Sequence, residues 1–201
     1  MPKILNLLSS NIYYLLIGIL SLAAFLERTV FDLGPNIELI TTSMILISYY
    51  FGKKAAFPII FIIVALSDRF IGNSSIFLFT WSGFLIPALF GSNIIKIISH
   101  KLFKDYRNNL RVIPLLSLGI ISNIFFYLWT NFGVWFFDTF NMYPNGLSGL
   151  FLSYINGLPF LRNQFISTLI FLPAIFTLFE ATVDILKIHN FRLIRRYIAQ
   201  Q

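Results

Sequence analysis

The sequence predicts an all-α membrane protein: a bundle of six transmembrane helices with a structured segment between the fifth and sixth. Three observations predict it. The 201 residues are 57% hydrophobic and 11% charged, whereas a soluble domain carries about 25% charged residues. A polar exterior cannot be assembled from so few groups, so lipid must cover the surface. Six apolar stretches punctuate the chain, and the basic residues fall in the gaps between them with a strong bias.

The apolar stretches run Ile12–Leu26, Ile37–Phe51, Ala55–Leu66, Ile76–Ile98, Val112–Thr130 and Phe165–Leu186. A span takes about 20 residues at about 1.5 Å each. The third stretch is short and spans by taking in Asp68 to Ile71, or else enters a thinner region of the bundle. The first, preceded by Lys3 and carrying Ser21-Leu22-Ala23, has some features of a signal peptide, but the chain continues as a polytopic bundle and the reading preferred is an uncleaved helix. Gly133–Gln164 is too long for a tight turn and too apolar for a disordered loop. Within it, Leu147–Tyr154 is expected to form a short interfacial helix capped by Gly157 and Pro159. The whole chain, 1–201, reads as one integral membrane domain.

Charge sets the expected orientation. With the amino terminus in the cytoplasm and sides alternating at each span, Arg28, Arg69 and Arg162 fall outside. The other twelve of the fifteen Lys and Arg residues fall inside, as the positive-inside rule requires. Both termini are then cytoplasmic, in a cell (bacterial inner) membrane. The tail Lys187–Arg196 lies against anionic headgroups. This pattern accounts for the net charge of +7 without a nucleic-acid partner.

The predicted outer side gathers polar and aromatic groups from four segments: Glu27, Arg28, Pro35, Asn36 and Glu38; Ser67-Asp68-Arg69; Thr130–Trp135; and Asp138, Tyr143, Tyr154, Arg162 and Asn163. Two readings stand side by side. Trp and Tyr form interfacial belts, and Asn, Asp and Gly make turns. Alternatively these groups orient a small polar ligand. On the second reading, Glu38, Asp68, Arg69, Asn131, Trp135, Tyr143, Arg162 and Asn163 hold the ligand. Asp68 and Arg69, adjacent on a helix, project differently, leaving Glu38 and Arg162 as their partners. Trp135 and Tyr143 would stack on a flat ring. The cavity is expected between the second, fifth and sixth helices, covered by Gly133–Gln164.

Within the spans, Gly119, Asn123, Tyr127 and Asn131 recur every fourth residue and share a face. Asn123 reads as helix glue or as the floor of that cavity. Thr80, Gly83, Pro87 and Gly91 read as close-packing positions. Glu180 and Asp184 read as the exit of the last helix into water, facing Lys187 and Arg192. His100 and His189 are isolated, so no metal site is expected. There is no cysteine, no G-x-x-x-x-G-K-[ST] and no G-x-S-x-G, so no cofactor, P-loop or serine-elbow enzyme is expected.

Pro35-Asn36-Ile37-Glu38-Leu39-Ile40-Thr41 resembles the P-N-x-E-L-[IV]-T opening of the second helix in many substrate-binding (S) components of energy-coupling factor (ECF) transporters. Thr130–Trp135, Tyr143-Pro144, Gly149-Leu150, Tyr154, Pro159-Phe160 and Asn163, with Ser67-Asp68 and Gly72, resemble an uncharacterised family of bacterial membrane proteins likened to the same S components. The resemblance covers roughly 27–180. It implies an S-component-like six-helix bundle that captures a vitamin-like or trace nutrient from outside, energised by a coupling subunit and separate ATPases. Pairs of small residues four apart, common on the first helix of S components, are missing: Gly18 is followed by Leu22, Ser21 by Phe25 and Ala23 by Glu27. A different class of function, a structural or assembly protein binding another protein through its outer face, is the alternative.

Overall fold

The computed structural model describes residues 2–72, 76–102, 111–138 and 141–198, and the side chains of all of these but 2–10, 101–102 and 187–198. Lys104 and Arg107 therefore lie outside the described residues. So do the side chains of Lys3, Lys101, His189 and the tail Lys187–Arg196. Among the described residues there are six α-helices: α1 Pro2–Leu26, α2 Ile40–Phe51, α3 Lys53–Ile71, α4 Phe77–Leu102, α5 Val112–Phe137 and α6 Leu147–Ile198. A π-helical turn, Glu27–Phe31, extends α1.

Polarity is arranged inside out. Large apolar side chains such as Leu22, Ile62, Phe90, Ile121 and Ile170 are exposed, while Thr42, Ser67, Asn123, Gln164 and Thr168 are buried. That distribution suits lipid outside and helix-to-helix hydrogen bonds within. Four stretches, Asn11–Phe31, Phe77–His100, Val112–Phe137 and Leu147–Leu186, are long and apolar enough to cross a membrane.

α5 and α6 form an antiparallel hairpin that sets the frame. Asn123 donates from Nδ2 to the Gln164 carbonyl (3.1 Å) and to Thr168 Oγ1 (2.9 Å). Tyr127 Oη donates to the Tyr154 carbonyl at 2.7 Å. A Cβ on Gly119 would lie 2.6 Å from Thr168, and one on Gly157 2.4 Å from Asn131 Oδ1. The four-residue repeat on α5 thus faces α6 along its length, and Asn123 acts as glue. α4 packs by the same device: a Cβ on Gly83 would lie 2.8 Å from the Phe126 ring.

The structure corrects the expected boundaries in three places. α6 is a single helix of 52 residues, about 78 Å long. Gly157 and Pro159 lie inside it and do not cap a short interfacial helix. Gly157 is there because Asn131 occupies the space a Cβ would need. Second, α5 continues to Phe137, which shortens the connection to 138–146. Third, α2 has only 12 residues, about 18 Å, too short to cross a hydrocarbon layer of about 30 Å. It replaces the span expected at Ile37–Phe51. The third stretch does take in Asp68 to Ile71, giving α3 19 residues, yet α3 is not among the four stretches long and apolar enough to cross a membrane.

α2 is short because the chain before it turns back inside the bundle. Ser167 Oγ donates to the Glu38 carbonyl (2.6 Å) and accepts from the Glu38 N–H (3.1 Å). Ser167 neighbours Thr168, which faces Asn123 halfway along α5. The helix therefore begins at mid-bundle and descends to Gly52. Residues 32–39 form an irregular segment at that depth, turned by Asp32, Gly34 and Asn36 at φ of 36°, 121° and 57°. Asn and Asp tolerate this left-handed region better than other non-glycine residues.

Candidate functional site

Irregular backbone at membrane depth is tolerated where it is buried in protein or lines a cavity. Segment 32–39, whose residues are half-buried or exposed, meets the second condition. Its backbone groups are partly satisfied by neighbours: the Leu39 N–H donates to Glu27 Oε2 (3.4 Å), the Ile37 N–H to the Gly34 carbonyl (3.0 Å), and Asn163 Nδ2 to the Pro35 carbonyl (2.9 Å). Beside it opens a cavity of about 510 Å³. The walls are Glu27, Arg28 and residues 34–38 on one side, Thr80 and Phe84 of α4, Phe126, Thr130 and Asn131 of α5, and Phe160 and Gln164 of α6.

An ion pair anchors the site. Arg28 Nη2 and Asp68 Oδ1 are bonded, and the Trp81 indole N–H donates to Asp68 Oδ2. Asp68 is buried, and its carboxylate ties the π-helical turn to α3 and α4. This arrangement corrects the expected pairing: the cation on Asp68 is Arg28, not Arg162, and Asp68 itself does not line the cavity.

The sequence motif at 35–41 has a direct structural meaning. Thr41 Oγ1 donates to Glu38 Oε1 at 2.6 Å. The carboxylate is thereby fixed at the start of α2, and Oε2 is left without a partner among the described residues. Three further buried atoms at the cavity are in the same position: Arg28 Nε, and both Nε2 and Oε1 of Gln164. Gln164 is 2% exposed. A buried carboxamide with neither end bonded costs about 1–3 kcal/mol per lost hydrogen bond, so it marks a place where a ligand or water completes the network.

Of the eight residues expected to bind, Glu38 and Asn131 line the cavity. Asn131 donates to the Tyr127 carbonyl of its own helix at 2.8 Å. Asn163 stands behind the wall, holding Pro35. Arg69 and Arg162 are exposed, and Trp135 packs on Phe132 with ring centroids 5.7 Å apart. Tyr143 belongs to the 138–146 connection, where its N–H donates to Asp138 Oδ2 at 3.3 Å. None of these four lines the cavity, and neither do the described residues of the connection. Its wall is instead the 27–38 segment with α4, α5 and α6. Glu27, Arg28, Thr80, Thr130 and Gln164 join the site without having been among the eight. Gln164 gives no sequence signal beyond being a lone amide in an apolar run.

The opposite end of the bundle holds a second charged cluster. Tyr13 and Tyr50 donate to Glu180 Oε1 at 3.0 and 2.7 Å, and Arg111 meets Oε2 at 3.2 Å. Glu180 thus draws α1, α2 and the start of α5 onto α6, correcting its expected role as a water-facing exit beside Lys187 and Arg192. Asp184 is exposed. No group of three or more His, Cys, Asp or Glu residues with metal-binding geometry occurs among the described residues.

The sequence model of one family, described as "Family of unknown function (DUF6580)", matches residues 8–189. No curated protein matches the chain, and no solved structure matches it.

Proposed function

We propose, for this chain, which belongs to the DUF6580 family, the role of a membrane-embedded subunit that captures a small polar nutrient and depends on separate energising partners. The observation that carries this reading is the buried, unpartnered Gln164 amide on a 510 Å³ cavity beside an interrupted helix. Half-helices and unwound backbone at mid-depth supply the polar contacts of many transport sites. The likeness of Pro35–Thr41 to S components of ECF transporters, and of Thr130–Trp135 to a membrane-protein family likened to them, supports the same role, with a coupling subunit and ATPases as partners.

Positive-inside counting supports an orientation with the cavity facing outward and both termini cytoplasmic. Reporter fusions at Gln201 and after Arg107 should then be active in the cytosol, and an extracytoplasmic signal at either would reverse the cavity's direction.

The lining also narrows the ligand. Glu27, Asp32 and Glu38 outnumber Arg28, whose charge Asp68 already balances. A carboxylate oxygen and a carboxamide, both unpaired, match a planar molecule with several N–H donors, neutral to cationic. Phe84, Phe126 and Phe160 supply apolar surface for a ring. Native mass spectrometry of the purified protein should reveal a co-purifying small molecule, absent from the Glu38→Gln and Gln164→Leu variants. A ligand retained equally by both variants, or a folded protein that holds none and is stabilised by no fraction of growth medium, sinks the reading and favours an assembly role.

A further inference from the structure

At the Gly52 end of the bundle, away from the proposed capture site, a second cavity of about 880 Å³ lies between the α2–α3 junction and α4. Its lining carries Lys53, Lys54, Lys96 and His100 and, among the described residues, no carboxylate. Gly52, at φ 76°, ends α2 and starts α3 at once. No side chain caps α3, and its first turn contains no acidic residue. The N–H groups of Lys53 and Lys54 therefore open α3 with its positive dipole end uncompensated. Ser48 also lines this cavity; it is 1% exposed, and its Oγ has no partner among the described residues. A buried hydroxyl donor, an uncapped helix start and three ammonium groups are the elements of an anion site.

We propose that this cavity binds a phosphate group. Exposed Phe57, one helical turn after Lys53, and exposed Ile97, next to Lys96 in the chain, offer apolar surface beside the charge, as a phospholipid needs for its acyl chains. Basic pockets between membrane helices take anionic headgroups in this way.

The test uses the full chain, delipidated in detergent, with phosphatidylglycerol, phosphatidylcholine and inorganic pyrophosphate as probes, read by native mass spectrometry and thermal unfolding. One phosphatidylglycerol should be retained per chain and raise Tm, while phosphatidylcholine does neither. The Lys53→Gln/Lys96→Gln variant, altered at two exposed positions, should bind it at least about tenfold more weakly. Lys53→Arg/Lys96→Arg should bind as the wild type does. Pyrophosphate that raises Tm and displaces the lipid identifies a soluble phosphate as the occupant of the same site; pyrophosphate without effect identifies the lipid. Equal binding of both lipids with no response to pyrophosphate, or undiminished phosphatidylglycerol binding by the glutamine variant, overturns the proposal.

Discussion

The two ends of the bundle each hold an acid paired with an arginine, and they use it differently. Around Glu180, both carboxylate oxygens are occupied. Two tyrosine hydroxyls and Arg111 fill the carboxylate, and the Tyr13 and Tyr50 rings stack with centroids 4.4 Å apart. Around Arg28, the pair with Asp68 is also complete, yet Arg28 Nε, Glu38 Oε2 and the whole Gln164 amide remain over, next to open volume. A cluster that consumes its own hydrogen bonds is a clasp. A cluster with buried groups to spare carries a desolvation cost that only a partner recovers, which is the feature the proposed capture role uses.

The contrast can be broken by mutation. Asp68→Ala should have the largest effect, because it strands Arg28, whose side chain is 17% exposed. Removing one partner of a buried pair costs about 3–5 kcal/mol, and unfolding of the purified protein should register most of that. Arg28→Met combined with Asp68→Ala should regain part of the loss. A double variant no more stable than Asp68→Ala alone would mean that the pair does not act as an anchor.

Tyr50→Phe tests the clasp. It deletes a 2.7 Å hydrogen bond to a carboxylate, a bond type worth about 1.5–3 kcal/mol. Stability should fall by that order while ligand retention at the far cavity stays as in the wild type. A loss of ligand without a loss of stability would show that the two ends are not separate.

The smallest stability effect, and the sharpest distinction, belongs to Gln164→Leu. Replacing an unsatisfied buried amide by a similar apolar volume should change stability by no more than about 1 kcal/mol, and toward greater stability. Ligand capture should nonetheless disappear. If Gln164→Leu destabilises the protein as much as Tyr50→Phe does, the amide is structural and the cavity has lost its main argument.

How much of this was legible beforehand differs by residue. The every-fourth pattern Gly119, Asn123, Tyr127 and Asn131 is a local periodicity, and the helix face it marks is the one packed on α6. Glu38 and Asn131 reach the cavity because they flank features visible in one dimension, a Pro-Asn turn and a polar α5 terminus. Gly157 and Pro159 misled, since a glycine can serve a close approach as readily as a helix end, and proline is tolerated in membrane helices. Gln164 was invisible for a different reason: its importance lies in the partners it lacks.

By itself, then, the sequence determined the helices, their apolar exteriors and the charge bias between loops, because hydropathy and local periodicity are properties of neighbours along the chain. Only the tertiary structure decided that Ser167 would draw Glu38 down to mid-bundle and shorten α2. It also decided that Asp68 would take Arg28 and Trp81, and that Glu180 would collect two tyrosines. Those outcomes depend on contacts across 13 to 167 residues of chain. Among many polar groups inside an apolar bundle, which ones find each other is settled by packing geometry, and the proposed site is where groups left over meet open volume.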